Sequence, residues 1–202
     1  MIIPLAPDET EHADLVRALA QSPAILECLT PSEGSRALSL NAGARAARGE
    51  ILWFLHADSR PAPDAVDALL ASFEKAPDAL HYFALAFAPD PDVPLIALNA
   101  WGANLRSRLF GTPYGDQGLA LARRLFSRLP AFPEDAPYGE DHLFVWRARQ
   151  RGVRLQRVSS RIVTSPRRYR NEGWLRLTLR YQILWIMQAL PEAWALLWGR
   201  AR

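Results

Sequence analysis

Asp58 closes an apolar run through Phe54, Leu55, His56 and Ala57, and a carboxylate released at the end of a buried strand can ligate a hard divalent cation that also holds a diphosphate. His56 stands two residues before it, near enough to join such a site. Taken alone, Asp58 suits a turn before Pro61 equally well. Glu140 and Asp141 open a helical segment, where backbone N–H groups and the helix dipole favour negative charge. That preference by itself accounts for two acids there; a carboxylate kept ionised in a cleft can also take a proton from an acceptor hydroxyl as a general base.

Gly115-Asp116-Gln117-Gly118 sets an acid and an amide on a flexible backbone just before a short apolar strand, which suits hydrogen bonding to a polyol as well as an ordinary turn. Arg167 and Arg168, after Thr164-Ser165-Pro166, offer two guanidinium forks for a diphosphate leaving group, or a solvated basic loop. His12, His81 and His142 have no paired metal-ligand spacing. The chain has no Gly-x-x-x-x-Gly-Lys loop and no Gly-x-Ser-x-Gly elbow, so a P-loop enzyme and a serine hydrolase of that type are unsupported.

Alternating strands and helices must position these groups. Met1 to Leu5 reads as a strand, followed by a helix with Leu15, Val16, Leu19 and Ala20 on one face, and by a second strand from Ala24 to Leu29. Helices are expected over Arg36 to Ala47, Asp64 to Phe73, Leu95 to Leu109, Arg123 to Leu129 and Glu140 to Arg151, the last ended by Gly152. Ile51 to Leu55 is a continuous apolar pentad, which marks a strand buried on both faces and the centre of the sheet. Leu80 to Ala88 and Leu119 to Ala122 are further strands. The pattern predicts an α/β sandwich with a mostly parallel sheet and ligands at the carboxyl ends of its strands. After Arg170 the chain turns helical and aromatic, with Trp174, Leu177, Tyr181, Leu184 and Trp185 on one side and Pro191 separating a last segment that carries Trp194 and Trp198.

The chain has 202 residues, half of them hydrophobic, which suffices for one substantial core. Lys75 is the single lysine among 24 basic residues, and the small net charge of +3 argues weakly for nucleic acid and better for local recognition of phosphate or carboxylate, while a compositional bias toward arginine accounts for it equally well. Cys28 is alone, which fits a reducing compartment, and the amino terminus has no signal-peptide pattern; cytoplasm is the expected location. No apolar run reaches the roughly 18 to 20 residues of a membrane span. The Trp-rich tail can pack on the domain, form a homodimer, or lie at a membrane interface.

Taken in order, RALSLNAG (Arg36–Gly43), GEILWFLHAD (Gly49–Asp58), YGDQG (Tyr114–Gly118), Glu140-Asp141 with Leu143 and Arg147, and TSPRR (Thr164–Arg168) resemble family-2 glycosyltransferases of the GT-A fold, specifically the rSAM/selenodomain-associated group. The resemblance covers most of the chain. It implies a three-layer α/β/α sandwich with a mostly parallel mixed sheet over residues 1–170, and an amphipathic helical tail, residues 171–202, packed on it. It also implies a nucleotide-diphospho-sugar donor and a divalent metal, manganese or magnesium, with Asp58 and His56 at the metal. Arg36, Asn41, Asp116 and Gln117 would bind substrate, Arg167 and Arg168 would stabilise the departing diphosphate, and Asp141 beside Glu140 would activate an acceptor hydroxyl on a small or lipid-linked molecule. Inversion at the anomeric carbon would follow.

Relatives carry a further strand and helix, whose acid helps hold the nucleobase, where Leu29 here leads almost directly into Arg36. Ser35 and Ser39 also replace a glycine and an amide common in relatives. This shortened nucleotide half sets the competing reading, a non-catalytic homologue that binds a sugar or a partner.

Overall fold

The computed structural model describes residues 1–5, 12–19 and 26–199. In chain order these form α1 (His12–Leu19), α2 (Arg36–Ala46), β1 (Ile51–Trp53), β2 (Arg60–Pro61), α3 (Ala65–Lys75), β3 (Leu80–Phe87), α4 (Ile96–Phe110), a 3-10 turn (Gly115–Gln117), β4 (Ala120–Ala122), α5 (Arg123–Phe126), α6 (Glu140–Gln150), β5 (Leu155–Thr164), α7 (Arg167–Glu172) and α8 (Trp174–Gly199). Of the expected N-terminal elements, Ala20, Ala24 and Ile25 lie outside the described residues, and Leu29 keeps a parallel bridge to Ile2.

The apolar pentad divides its side chains between two cores because successive residues of a strand point to opposite faces. Trp53 and Leu55 join Met1, Ile3, Leu15, Leu69 and Phe73 on the side of α1 and α3. Leu52 and Phe54 join Ile2, Leu40, Phe132, Phe144 and Val145 on the side of α2 and α6. Three layers result, as expected. On the second side Phe132 stacks on Phe144 at 4.4 Å and meets Phe54 edge-on at 5.0 Å. Gly43 is what lets α2 lie against the N-terminal segment, since a Cβ there would strike the Ile2 side chain.

The sheet is mixed and runs β1-β4-β3-β5-β2. β1, β3 and β5 share one direction, and Ile2 extends it through parallel bridges to Phe54 and Leu29. β4 is reversed between β1 and β3, and β2 is reversed at the far edge, so neighbouring strands are antiparallel except at β3–β5. β5 had no counterpart in the sequence reading. Ser159, Ser160 and Arg161 interrupt its apolar residues, and a bulge between Tyr82 and Ala84 shifts its register against β3, so strict alternation is lost.

α8 also departs from expectation, because it continues through Pro191 rather than breaking there. Proline removes the hydrogen bond to the carbonyl of Met187, but both residues are exposed and water can satisfy that oxygen. Its inner side is tied to the domain: Gln188 Nε2 donates to Tyr138 O at 3.0 Å, and Gln150 Nε2 donates to Glu192 Oε2 at 2.7 Å.

Asn41, expected to bind substrate, is buried in the fold. Its Nδ2 donates to Phe132 O and Glu134 Oε1, both at 2.9 Å, and its Oδ1 accepts from Phe132 N at 3.0 Å. The amide thus locks α2 to the loop before α6. Asn41→Ala would leave buried backbone groups of Phe132 without partners, and urea denaturation is expected to show a loss of about 2–3 kcal/mol.

Candidate active site

Arg36 is the first residue of α2, placed there by Ser35, whose Oγ caps the helix by accepting from Leu38 N at 3.2 Å. Ser39 Oγ accepts from Glu33 N at 2.8 Å and draws the preceding loop onto the same turn. From this position the Arg36 guanidinium reaches two other elements. It contacts His56 Nε2 in the loop after β1, and at the start of α6 it lies 3.3 Å from Asp141 Oδ2 and 3.3 Å from Glu140 Oε1. Gly139 makes that start possible: its φ of 64° is left-handed, and a Cβ would collide with Gln188.

Asp141 is buried and surrounded by donors. Gly115 N donates to Oδ2 at 2.6 Å and His142 N to Oδ1 at 2.8 Å. Burial opposes its ionisation, but Arg36 and these two N–H groups outweigh burial and hold the carboxyl below its ordinary range. His56 is pushed down to about 3 by burial and by Arg36, with Asp141 opposing, so the ring is neutral. A Cβ on Gly115 would strike Asp141 Oδ2, Arg36 and His56 Nε2, so this close assembly requires a glycine.

Two cavities meet at this cluster. The first, of about 350 Å³, is walled by Leu5, Ser32, Gly34, Ser35 and Ser39. The second, of about 420 Å³, is walled by Arg106, Tyr114, Asp116, Tyr138, Asp141 and Tyr169. Arg36, His56, Asp58 and Arg167 line both. A molecule with a polar linkage between two bulky ends would therefore place that linkage against Asp58 and the two arginines.

The expected site residues divide by position. Asp58 and Arg167 stand at the junction, Arg168 lines the second cavity with Nε 3.5 Å from Glu172 Oε1, and Asp116 lines it with Oδ1 buried and unpartnered. Burial pushes Asp116 up to about 6, with Arg106 opposing and Asp141 adding to the rise. Gln117 is fully buried and away from both cavities; its Oε1 accepts from Ser107 Oγ at 2.6 Å and its Nε2 donates to Phe83 O at 3.0 Å. Gln117, expected to touch substrate, instead shapes the turn that carries Asp116. Glu140 is likewise set behind Arg36 rather than on a cavity wall.

The donor set gives a divided answer for a metal. Asp58 accepts from Thr164 Oγ1 at 3.3 Å through Oδ2 and faces both cavities, so one carboxylate is available to a cation shared with a diphosphate. His56, expected beside it as a ligand, turns Nε2 to the Arg36 guanidinium, where a divalent cation would meet like charge. Among the described residues no group of three or more His, Cys, Asp or Glu is arranged to hold a metal by itself.

Arg106, Tyr138 and Tyr169 of the second cavity were missed in the sequence. The Arg106 guanidinium lies 4.4 Å from the Tyr114 ring and 5.8 Å from the Trp185 ring, and its Nε donates to Thr112 O at 3.3 Å. Helical phase was the available signal: Asn99, Ala103 and Arg106 share one side of α4, and all three line the cavity.

No curated protein matches the sequence. Among solved structures, S. aureus TarS (residues 1–349) matches with a TM-score of 0.61 at 15% identity, over 82% of this chain and 60% of that one. GalNAc-T7, crystallised with UDP, GalNAc and Mn2+, matches with a TM-score of 0.51 at 16% identity, over 81% of this chain and 37% of that one. A mycobacterial protein matches with a TM-score of 0.54 at 13% identity, over 81% and 64%. These identities establish the fold, which is that of GT-A glycosyltransferases, and the chain spans about three fifths of the TarS 1–349 structure. The model of glycosyl transferase family 2 matches residues 7–123, more than half of the sequence, and the chain belongs to that family.

Proposed function

We propose that this protein moves a sugar from a nucleoside-diphosphate donor to an acceptor hydroxyl with inversion, as a member of the rSAM/selenodomain-associated group of family 2. The observation that carries this reading is the meeting of two cavities at Asp58, Arg36 and Arg167. The nucleoside would occupy the first cavity and the acceptor the second, with the diphosphate at the junction. TarS has been crystallised with UDP and with UDP-GlcNAc, which supports a nucleotide-sugar donor here. The walls at Ser32, Gly34 and Ser35 show that the short connection from Leu29 to Arg36 still encloses space beside Asp58. In this reading residues 1–170 form the transferase unit, and the tail, residues 171–202, walls its acceptor cavity through Arg180, Tyr181 and Leu184.

As the acceptor oxygen bonds to the anomeric carbon, its proton passes to Asp141 and the bond to the diphosphate breaks with its electron pair on the leaving oxygen. Arg167 lies where that charge develops. A manganese or magnesium ion held by Asp58 and the diphosphate would supply further charge neutralisation there. Glu140 and Gly115 act through position, the first on Arg36 and the second on the carboxylate of Asp141. A second reading assigns the proton to Asp116, which lines the same cavity and has one buried oxygen without a partner; Asp141 then serves to order Arg36 and Gly115. The lone Cys28 supports a cytoplasmic setting.

Calorimetric titration of UDP and GDP with manganese, and then with chelator, tests the donor site. Metal-dependent binding that disappears in Asp58→Asn is expected; a folded sample that binds neither nucleotide would favour the non-catalytic sugar- or partner-binding homologue. With a UDP-sugar that binds, Asp141→Asn is expected to slow UDP release by about a hundredfold while UDP affinity stays nearly unchanged. If Asp116→Asn carries that loss and Asp141→Asn does not, the proton belongs to Asp116.

Asp116 also makes stability depend on pH. Its folded-state value of about 6 lies above its ordinary one, so the ionised carboxylate lowers stability at neutral pH and that cost fades as pH falls through about 6. Asp116→Asn is expected to raise the thermal midpoint at neutral pH and to change it little near pH 4.

A further inference from the structure

α4 and α8 lie side by side and run in the same direction. Trp174 Nε1 donates to Asn99 Oδ1 at 2.6 Å and Asn99 Nδ2 donates to Thr178 Oγ1 at 2.9 Å near one end, and Phe110 meets Trp185 at 5.9 Å near the other. Beneath them, Asn104 of α4 bonds both backbone groups of Leu85 in β3, and Gln188 of α8 bonds His142 in α6. Helical phase then turns the remaining sides of both helices away from the domain and toward the same solvent.

Those sides are apolar. On α4, Leu98, Trp101, Leu105 and Leu109 recur at helical spacing, with Trp101 66% and Leu109 67% exposed. On α8, Leu179, Ile183, Ile186, Leu190, Trp194 and Leu197 continue the surface. A stripe of this length on each of two adjoining helices exceeds the scattered exposed side chains of an ordinary surface.

Charge on this surface has one sign. α4 contains no Asp or Glu, and the single acid of α8, Glu192, is turned inward to Gln150. Arg108 and Arg176 are exposed at its borders. Twofold pairing with a second copy would bring these arginines together with no acid to meet them. An anionic headgroup layer complements them, while Trp101, Trp194 and Trp198 suit the boundary between headgroups and acyl chains.

We propose that the outer faces of α4 and α8 dock the protein on an anionic lipid bilayer, and that the acceptor hydroxyl enters the second cavity from that bilayer. The same helices wall the cavity: Asn99, Ala103 and Arg106 from α4, and Arg180, Tyr181 and Leu184 from α8. Docking stands on this surface alone, whereas the source of the acceptor rests on the glycosyl-transfer reading. Among the described residues no helix is long and apolar enough to cross a membrane, so the contact is interfacial.

The full-length protein would be sedimented with phosphatidylcholine vesicles, with and without a third of phosphatidylglycerol, and its mass followed by light scattering. A monomer that pellets with the anionic vesicles, with affinity reduced at least tenfold in Leu179→Glu and Trp101→Glu and a weaker anionic preference in Arg176→Gln, is the expected result. Circular dichroism checks that each variant is folded. Absence of pelleting with anionic vesicles by the folded protein would overturn the proposal, as would a dimer that Leu179→Glu dissociates. UDP titration of the same samples keeps the two readings apart. Vesicle binding without nucleotide binding upholds docking and overturns the acceptor route; nucleotide binding without vesicle binding overturns docking and leaves the donor site standing.

Discussion

The site depends on the Arg36 guanidinium. A cation at the first position of a helix opposes the helix dipole, so Arg36 is not where α2 alone would place a positive charge. Its partners reverse that balance. Glu140 and Asp141 stand at the start of α6, where the dipole favours acids, and the two helix ends face each other across this cluster of ions. The arrangement ties α2, the loop after β1 and α6 into one unit, with Asp141 ionised and His56 neutral. Removing Arg36 would leave the buried Asp141 carboxylate without its counterion, which costs more than the pair contributes.

Buried amides hold the elements that bring these charges together. Asn41 fixes α2 to the loop that leads into α6, and Gln117 fixes the turn of Gly115 and Asp116 to α4 and β3. Both resemble binding residues by type, yet their polar atoms satisfy the fold. Asp116 is the contrasting case: one buried oxygen lacks a partner, and the carboxyl faces a cavity. An unsatisfied buried oxygen opposes stability, so Asp116, unlike the two amides, does not serve to hold the fold together.

The helices that close the second cavity explain the composition of the C-terminal half. α4 and α8 offer Arg106, Tyr181 and Leu184 to the cavity and leave leucines and tryptophans on the other side. A helix apolar on its outer side is unsuited to water alone, and the inner contacts at Asn99 and Gln188 keep that side from turning into the core.

Local signals were legible in the sequence. Apolar runs marked β1, β3 and β4, helical spacing and the acids Glu140 and Asp141 marked α6, and the ordered motifs from Arg36 to Arg168 identified the family. These signals act over a few residues, through side-chain periodicity, capping and turn chemistry. β5 was not legible because a bulge and its serines break the alternation, and the continuity of α8 was not because a proline is tolerated where solvent meets the freed carbonyl. Only the tertiary structure decided that Arg36 would occupy His56 Nε2, that Asn41 and Gln117 would be internal, and that Arg106 would reach the cavity. Each of these outcomes depends on which distant segments the sheet order makes neighbours, and pairing between distant segments leaves no periodic trace in either one.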